Sequence, residues 1–380
     1  MSIAKVVFKL KSDIRIGLGI LRTFNEEVAY LGIQHPLIIC DQNLMDSDYF
    51  KEVESGIKSF AINGRFLSLK LAGEPSYELL SSLLGDVDLN SFDGIVSIGG
   101  GSLMDVGKGL ALLASNPTEP KKLKGFPQGL NAPLPHITIP SVLGSGAEAS
   151  FNAVFIDEKE GRKLGINSLN NFPVLVLSDP LLTMSAPTSV VISSALDCMV
   201  HSVDSFGSVK ASSVSRMFSV EAFHNIWSFL LKMDLDSPTD RLLLAKASVL
   251  GIYGLMNSGD GPTNGFAYYF GVRNKIPHGM AGGMFLKDVM RWNFVNGYRE
   301  YDRLIQHTDT SDLIEFFDVF STVLDHFSVP CLSNYGYERD AMNDTVNQVG
   351  AALGGSFAGN PIPFNEESAL WVLEQQFKGN

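Results

Sequence analysis

Asp93-Gly94-Ile95-Val96-Ser97-Ile98-Gly99-Gly100-Gly101-Ser102-Leu103-Met104-Asp105-Val106-Gly107-Lys108 reads as a strand, a tight turn and the opening of a helix. Gly94 to Ile98 is a short apolar run of the kind a fully buried strand takes. Three successive glycines let the backbone turn sharply and approach a ligand closely. Ser102, with Asp105 three residues on, reads as a capping box that starts the helix. Free N–H groups at such a start make an anion site, so Gly99, Gly100, Gly101 and Ser102 are candidates to hold a phosphate group, with Asp105 a further candidate for the cofactor site. The run is not the G-x-G-x-x-G fingerprint, so spacing alone leaves phosphate binding and a purely steric turn both open.

Outward from this segment, runs over 37–40, 136–139 and 174–177 alternate with helical patterns as far as residue 187, the signature of a parallel sheet covered by helices. Met1 to Asp13 alternates like an opening strand, and runs over 151–156 and 162–167 flank the charged turn 157–161 as a hairpin. Beyond residue 187, helical periodicity takes over at 189–206, 214–231, 239–256, 280–294, 313–327, 339–353 and 366–377. The expected architecture is an α/β domain with a Rossmann-like parallel sheet over 1–187, followed by an all-α domain over 188–380.

The chain has 380 residues, 45% of them hydrophobic and 18% charged, enough for two domains with their own cores. A formal net charge of −12 argues against nucleic acid and anionic membranes as partners. No apolar stretch is long enough to cross a bilayer, and the first residues lack the apolar core of a signal peptide. Cys40, Cys198 and Cys331 have no paired spacing, which points to reduced thiols and a cytoplasmic setting.

Asp197-Cys198-Met199-Val200-His201 carries a carboxylate and an imidazole four residues apart. On a helix these share one face and present an oxygen and a nitrogen to one point, a donor pair that suits Fe²⁺ or Zn²⁺. Taken alone, the pair is more often a surface salt bridge or a satisfied core pair. Context comes from the order of motifs along the chain. It runs from Gly17-Leu18-Gly19 through Leu37-Ile38-Ile39-Cys40-Asp41 and the glycine run to Ile139-Pro140-Ser141-Val142-Leu143-Gly144-Ser145-Gly146-Ala147-Glu148. Arg162-Lys163-Leu164, Ser178-Asp179-Pro180, Asp197/His201, Pro277-His278-Gly279 and Asn360-Pro361 complete it. In this order they resemble the iron-containing alcohol dehydrogenase family, whose relatives include glycerol dehydrogenase and dehydroquinate synthase, nearly from end to end.

The resemblance implies an NAD-dependent oxidoreductase acting on CH–OH donors, with a divalent metal, a small-molecule substrate and a homodimeric assembly. Asp41 ends a predicted strand where a carboxylate accepts hydrogen bonds from the adenosine ribose, and a 2′-phosphate there would meet like charge, so NAD is favoured over NADP. Ser141 and Ser145 lie in the family's second cofactor loop, with Ser145 where threonine is usual. Lys163 matches a lysine near the nicotinamide end; its plain alternative is an ion pair with Glu160.

The family's metal ligands fall on Asp197, His201, Asn264 and His278, so one of three histidines has become an amide. An amide oxygen is a poorer donor than imidazole, and the ion is expected to be weakly held. Another family histidine, near the reacting carbon, is Tyr268 here, whose hydroxyl can donate or relay a proton; packing with Phe266, Tyr269 and Phe270 is its alternative. These two replacements also fit an NAD-binding relative without redox activity. A narrower likeness over 144–150, 162–168 and 197–205 is to the 3-deoxy-manno-octulosonate 8-oxidase branch, which implies a sugar or sugar-acid substrate, with a short-chain alcohol or aldehyde as the alternative.

Overall fold

The computed structural model describes residues 8–71, 73–160, 162–232 and 234–377. Two compact units are present among the described residues: Leu10–Pro187 with Asp236–Ala245, and Thr188–Leu235 with 246–377 and 8–9. The first is built on a six-stranded sheet of β1 (Asp13–Ile16), β2 (Pro36–Asp41), β3 (Arg65–Leu69), β4 (Gly94–Gly99), β5 (His136–Pro140) and, after four short strands, β10 (Leu175–Ser178). The order is β1-β10-β5-β4-β2-β3, and every pairing is parallel.

Both faces of this sheet are apolar, as a parallel sheet covered on two sides requires. Leu37, Ile39 and Ile95 face one way, against α3 (Tyr77–Asp86) and α4 (Gly101–Ser115), through Tyr77, Leu80, Val106 and Leu110. Ile38, Val96, Ile98, Ile137 and Ile139 face the other way, against α1 (Phe24–Val28) and α2 (Asp48–Phe60), through Phe24, Phe50, Val53 and Ile57. The expected hairpin forms in two pieces, β6 (Asn152–Ala153) with β9 (Ile166–Asn167) and β7 (Ile156–Asp157) with β8 (Arg162–Lys163).

The opening strand expected over 1–13 falls later. Residues 1–7 lie outside the described set, 8–12 carry no strand, and Asp13–Ile16 supplies it by pairing with Leu175–Ser178. The edge strand β3 is a further element; Arg65-Phe66-Leu67-Ser68-Leu69 is only partly covered and lacks the uninterrupted apolar run of its neighbours.

The second unit is helical: α5 (Thr188–Gly207), α6 (Ser213–Lys232), α7 (Pro238–Ser258), α8 (Pro262–Asn274), α9 (His278–Val295), α10 (Asp302–Ile305), α11 (Leu313–His326), α12 (Met342–Phe357) and α13 (Glu366–Gln375). The opening turns of α7 belong with the sheet unit, where buried Arg241 donates through Nη1 to the Thr183 carbonyl at 3.4 Å. Helices α5 and α9 approach through glycine. A Cβ added at Gly279 would stand 1.7 Å from the Ser193 carbonyl oxygen, and at Gly282 and Gly283 2.8 Å from Val200 and Leu196 side-chain carbons. Ser193, Leu196, Asp197 and Val200 form one face of α5, so the glycines of α9 draw its first residue, His278, toward Asp197. Among the described helices none is long and apolar enough to cross a membrane alone.

Candidate functional site

In the sheet unit the strand order reverses at β2 and β4, with β3 outward of β2 and β5 outward of β4. Ligands of open α/β sheets bind beyond the carboxyl ends of strands at such a switch point. Asp41 and Gly99 end these two neighbours, and a Cβ added at Gly99 would meet Asp41 Cβ at 3.2 Å and Leu103 Cδ2 at 2.6 Å, so a larger residue would push on both. Ser141, after β5, donates its N–H to the Gly99 carbonyl at 2.9 Å. A Cβ at Gly101 would lie 3.2 Å from Ser145 Oγ, which places the second loop against the start of α4; Gly144 and Gly146 turn that loop with φ of 142° and 70°.

The capping box does not form. Gly100 is the N-cap of α4 and no side chain caps it, leaving the first N–H groups of α4 without a side-chain acceptor, while Ser102 lies one residue inside the helix. Asp105 is buried and braces the fold instead: Oδ1 pairs with fully buried Lys108 at 3.1 Å and Oδ2 accepts the Val154 N–H at 3.0 Å. Burial raises its pKa. Asp41 Oδ1 accepts the Asn43 N–H at 2.9 Å, and a carboxylate has capacity beyond one such bond. Lys163 pairs with Glu74, and Glu160 lies 3.7 Å from Lys124.

In the helical unit, four predicted residues meet. Asp197 Oδ1 lies 3.4 Å from His201 Nε2 and 3.7 Å from His278 Nε2. His278 Nε2 is 2.9 Å from Asn264 Oδ1. Tyr268, one turn after Asn264, packs its ring on His278 with centroids 4.7 Å apart, while the aromatic cluster beside it is made by Phe266, Phe270 and Phe285.

Two further acids shape this cluster. Asp204, three residues beyond His201 on the same face of α5, accepts the N–H groups of Gly261 and Asn264 on Oδ2 at 3.2 and 2.9 Å, and so holds the start of α8. Asp260 accepts from Asn264 Nδ2 at 3.4 Å and from Ser356 Oγ at 2.9 Å. The heptad-like continuation 197, 201, 204 is the signal by which Asp204 is found; Asp260 has none, because its partners are set by tertiary packing.

Burial pushes the Asp204 carboxyl up to about 7, with the neighbouring Asp260 charge adding to it. Since the folded value lies above the unfolded one near 4, the fold favours the protonated acid. The contribution to stability is full below pH 4 and lost as pH rises to about 7. The thermal midpoint is therefore expected to fall between pH 5 and pH 8, and Asp204→Asn, which keeps one acceptor oxygen, to flatten that fall by a few degrees. A wild-type and variant profile of equal slope, followed by circular dichroism, would count against the buried acid.

A profile described as iron-containing alcohol dehydrogenase matches residues 11–180, and the C-terminal profile of the same family matches 191–377. The chain belongs to the iron-containing alcohol dehydrogenase family. A sulfoacetaldehyde reductase of Bilophila wadsworthia is 25% identical to this family member, over 95% of this chain and 96% of its own length. A probable alcohol dehydrogenase of Salmonella typhimurium, EutG, is 26% identical over 73% of this chain and 70% of its own. The solved structure of a 1,3-propanediol oxidoreductase superposes with a TM-score of 0.89 at 19% identity, covering 98% of this chain and all (100%) of its own. That of a sulfoacetaldehyde reductase from Bifidobacterium kashiwanohense, in complex with NAD⁺, gives 0.89 at 17% identity, covering 99% and 100%. At these identities the structural likeness speaks for the fold.

The family consists of oxidoreductases acting on CH–OH groups with NAD and a divalent metal. Ligands about 2.0–2.2 Å from one ion, at tetrahedral or octahedral angles, stand about 3.0–3.5 Å from one another. The spacings of 2.9, 3.4 and 3.7 Å in this cluster are of that kind, slightly splayed. No three His, Cys, Asp or Glu among the described residues form a ready-made ligand set. His201 Nδ1 is buried without a hydrogen-bond partner among the described residues. Turning Nε2 toward a cation would put the ring proton on that nitrogen, unpaired, at a cost. Asp197, His201, His278 and Asn264 are thus the residues that could hold an ion here, with one imidazole left poorly supported.

Proposed function

We propose that this protein interconverts a CH–OH group and its carbonyl, using NAD held by the sheet unit and a weakly bound Fe²⁺ or Zn²⁺ held by Asp197, His201, His278 and Asn264. The observation that carries the reading is the meeting of these four side chains around Asp197 Oδ1 and His278 Nε2. The ion supplies Lewis acidity that lowers the pKa of a hydroxyl oxygen. In the sheet unit, the open N–H groups at the start of α4 hold the pyrophosphate, Gly99 keeps that approach clear, and Ser141 and Ser145 shape the loop beside it. Asp41 accepts from the adenosine ribose and repels a 2′-phosphate. Lys163 serves the nicotinamide end, steered by Glu74. Tyr268, held on the His278 ring, donates or relays the hydroxyl proton.

A sugar or sugar acid is the leading substrate class, supported by the motif likeness over 144–150, 162–168 and 197–205. The full-length similarity to a sulfoacetaldehyde reductase favours a second reading, a short-chain aldehyde. The test measures bound iron and zinc in the protein as isolated, NAD and NADP affinity, and NAD-coupled turnover across sugars, sugar acids and short aldehydes with and without added metal. Expected are substoichiometric metal, turnover that needs added ion, tighter NAD than NADP, and about tenfold better metal retention in Asn264→His. Stoichiometric, tightly held metal in the wild type would sink the weak site. No turnover by either protein with any metal would leave an NAD-binding protein without redox activity.

A further inference from the structure

We infer that Asp260 is a positioning residue that decides which end of the Asn264 amide faces the cluster. The inference rests on the proposed ion site. An asparagine side chain carries an acceptor oxygen and a donor NH₂ of nearly equal shape, and a half-turn exchanges them. Only the oxygen can donate electrons to a cation. The NH₂ in its place would point two N–H dipoles at the ion and repel it. Sequence therefore leaves Asn264 ambiguous between a ligand and an obstacle.

Asp260 removes the ambiguity. Its carboxylate accepts hydrogen bonds and gives none, and Oδ2 stands 3.4 Å from Asn264 Nδ2. The amide NH₂ is turned toward it, so Oδ1 is left facing His278 Nε2 at 2.9 Å. Asn264 is buried, with 3% of its surface exposed, and water competes little for either end. Asp260 is itself held in place. Ser356 Oγ donates to the same Oδ2 at 2.9 Å, and a Cβ added at Gly359 would lie 2.3 Å from the Asp260 carbonyl oxygen, so the chain after α12 packs directly on this residue. The arrangement is a carboxylate, an amide and an imidazole in series, with the carboxylate orienting a donor that it does not touch the ion to help. Outer partners of metal ligands act in this way.

The test titrates Co²⁺, an optically visible stand-in for divalent iron or zinc, into wild type, Asp260→Asn, Asn264→His and the double variant, with Zn²⁺ calorimetry alongside. Asparagine at 260 keeps the shape but can face Asn264 with either end, so the amide at 264 is free to turn. Asp260→Asn is expected to weaken Co²⁺ binding about 10- to 100-fold. In the Asn264→His background, where there is no amide to orient, the same change should cost about threefold or less, which separates orientation from simple loss of a nearby negative charge. Ser356→Ala, which loosens Asp260 without altering charge, should give a smaller loss in the same direction. Equal losses in both backgrounds would overturn the inference, as would wild-type affinity in both Asp260→Asn and Ser356→Ala. Absence of Co²⁺ and Zn²⁺ binding by wild type and Asn264→His alike would overturn the ion site and this inference with it.

Discussion

Gly279→Ala is expected to lower the thermal midpoint of the helical unit by roughly 10 °C and to scatter the Asp197–His278 cluster. The added methyl would stand 1.7 Å from a backbone oxygen, that of Ser193, and no rotamer relieves a clash with backbone. The helices must separate, and Gly282 and Gly283, each set to admit a side chain of α5, lose their fit with it. Overpacking of this kind costs about 1–3 kcal/mol and more where backbone is the obstacle. For a unit near 200 residues about 3 kcal/mol corresponds to roughly 6–12 °C. Calorimetry on the variant checks the shift, and Co²⁺ titration checks the site. A midpoint within 2 °C of wild type, by the same scale, would mean the close approach of α5 and α9 is not what sets their distance.

Asp197→Ala is expected to reduce NAD-coupled turnover about 10³-fold at saturating metal while leaving NAD affinity unchanged. Asp197 Oδ1 is the atom both histidines approach, at 3.4 and 3.7 Å, and it is the charged donor of the set. Without its charged ligand the ion would no longer be held against the reacting oxygen, and losing several kcal/mol of its stabilisation there corresponds to about three decades in rate. Asp41, Gly99 and Ser145, proposed to hold the dinucleotide, belong to the other compact unit, so NAD affinity would report on folding independently of the cluster. Steady-state kinetics beside NAD fluorescence titration make the measurement. Turnover within tenfold of wild type would remove Asp197 from the site.

The glycine run was readable because a buried strand ending in a tight turn admits few residue types, and Gly99 is pressed between Asp41 and Leu103. Helical spacing put Asp197 and His201 on one face, but only the family's order of motifs singled them out. The partners of Asp105 were not. Ser102 and Asp105 have the spacing of a cap, yet the helix starts at Gly100 and the carboxylate goes to Lys108 and the Val154 N–H, a tertiary choice invisible to a local pattern. Helix α8 was hidden for a related reason. Gly259-Asp260-Gly261-Pro262 reads as a turn, and Gly265 and Gly271 weaken the helical pattern that follows. Pro262 suits a first helical position, and Asp204, far back in the chain, accepts the N–H groups there. The amide end that Asn264 presents is likewise fixed by Asp260 and Ser356 through packing, not by any residue beside it in a motif.

The place of Arg241 bears on how this chain is made. The segment Asp236–Ala245 belongs to the sheet unit, and Arg241, 3% exposed, reaches the Thr183 carbonyl there through its guanidinium. A chain leaving the ribosome presents all six strands once Ser178 has emerged, but this last piece arrives only after α5 and α6 have followed. Synthesis adds about 5–20 residues per second. For some seconds the nascent sheet waits for this cation, so the sheet unit is completed only after the helical unit has been begun, and well before that unit's last helices emerge.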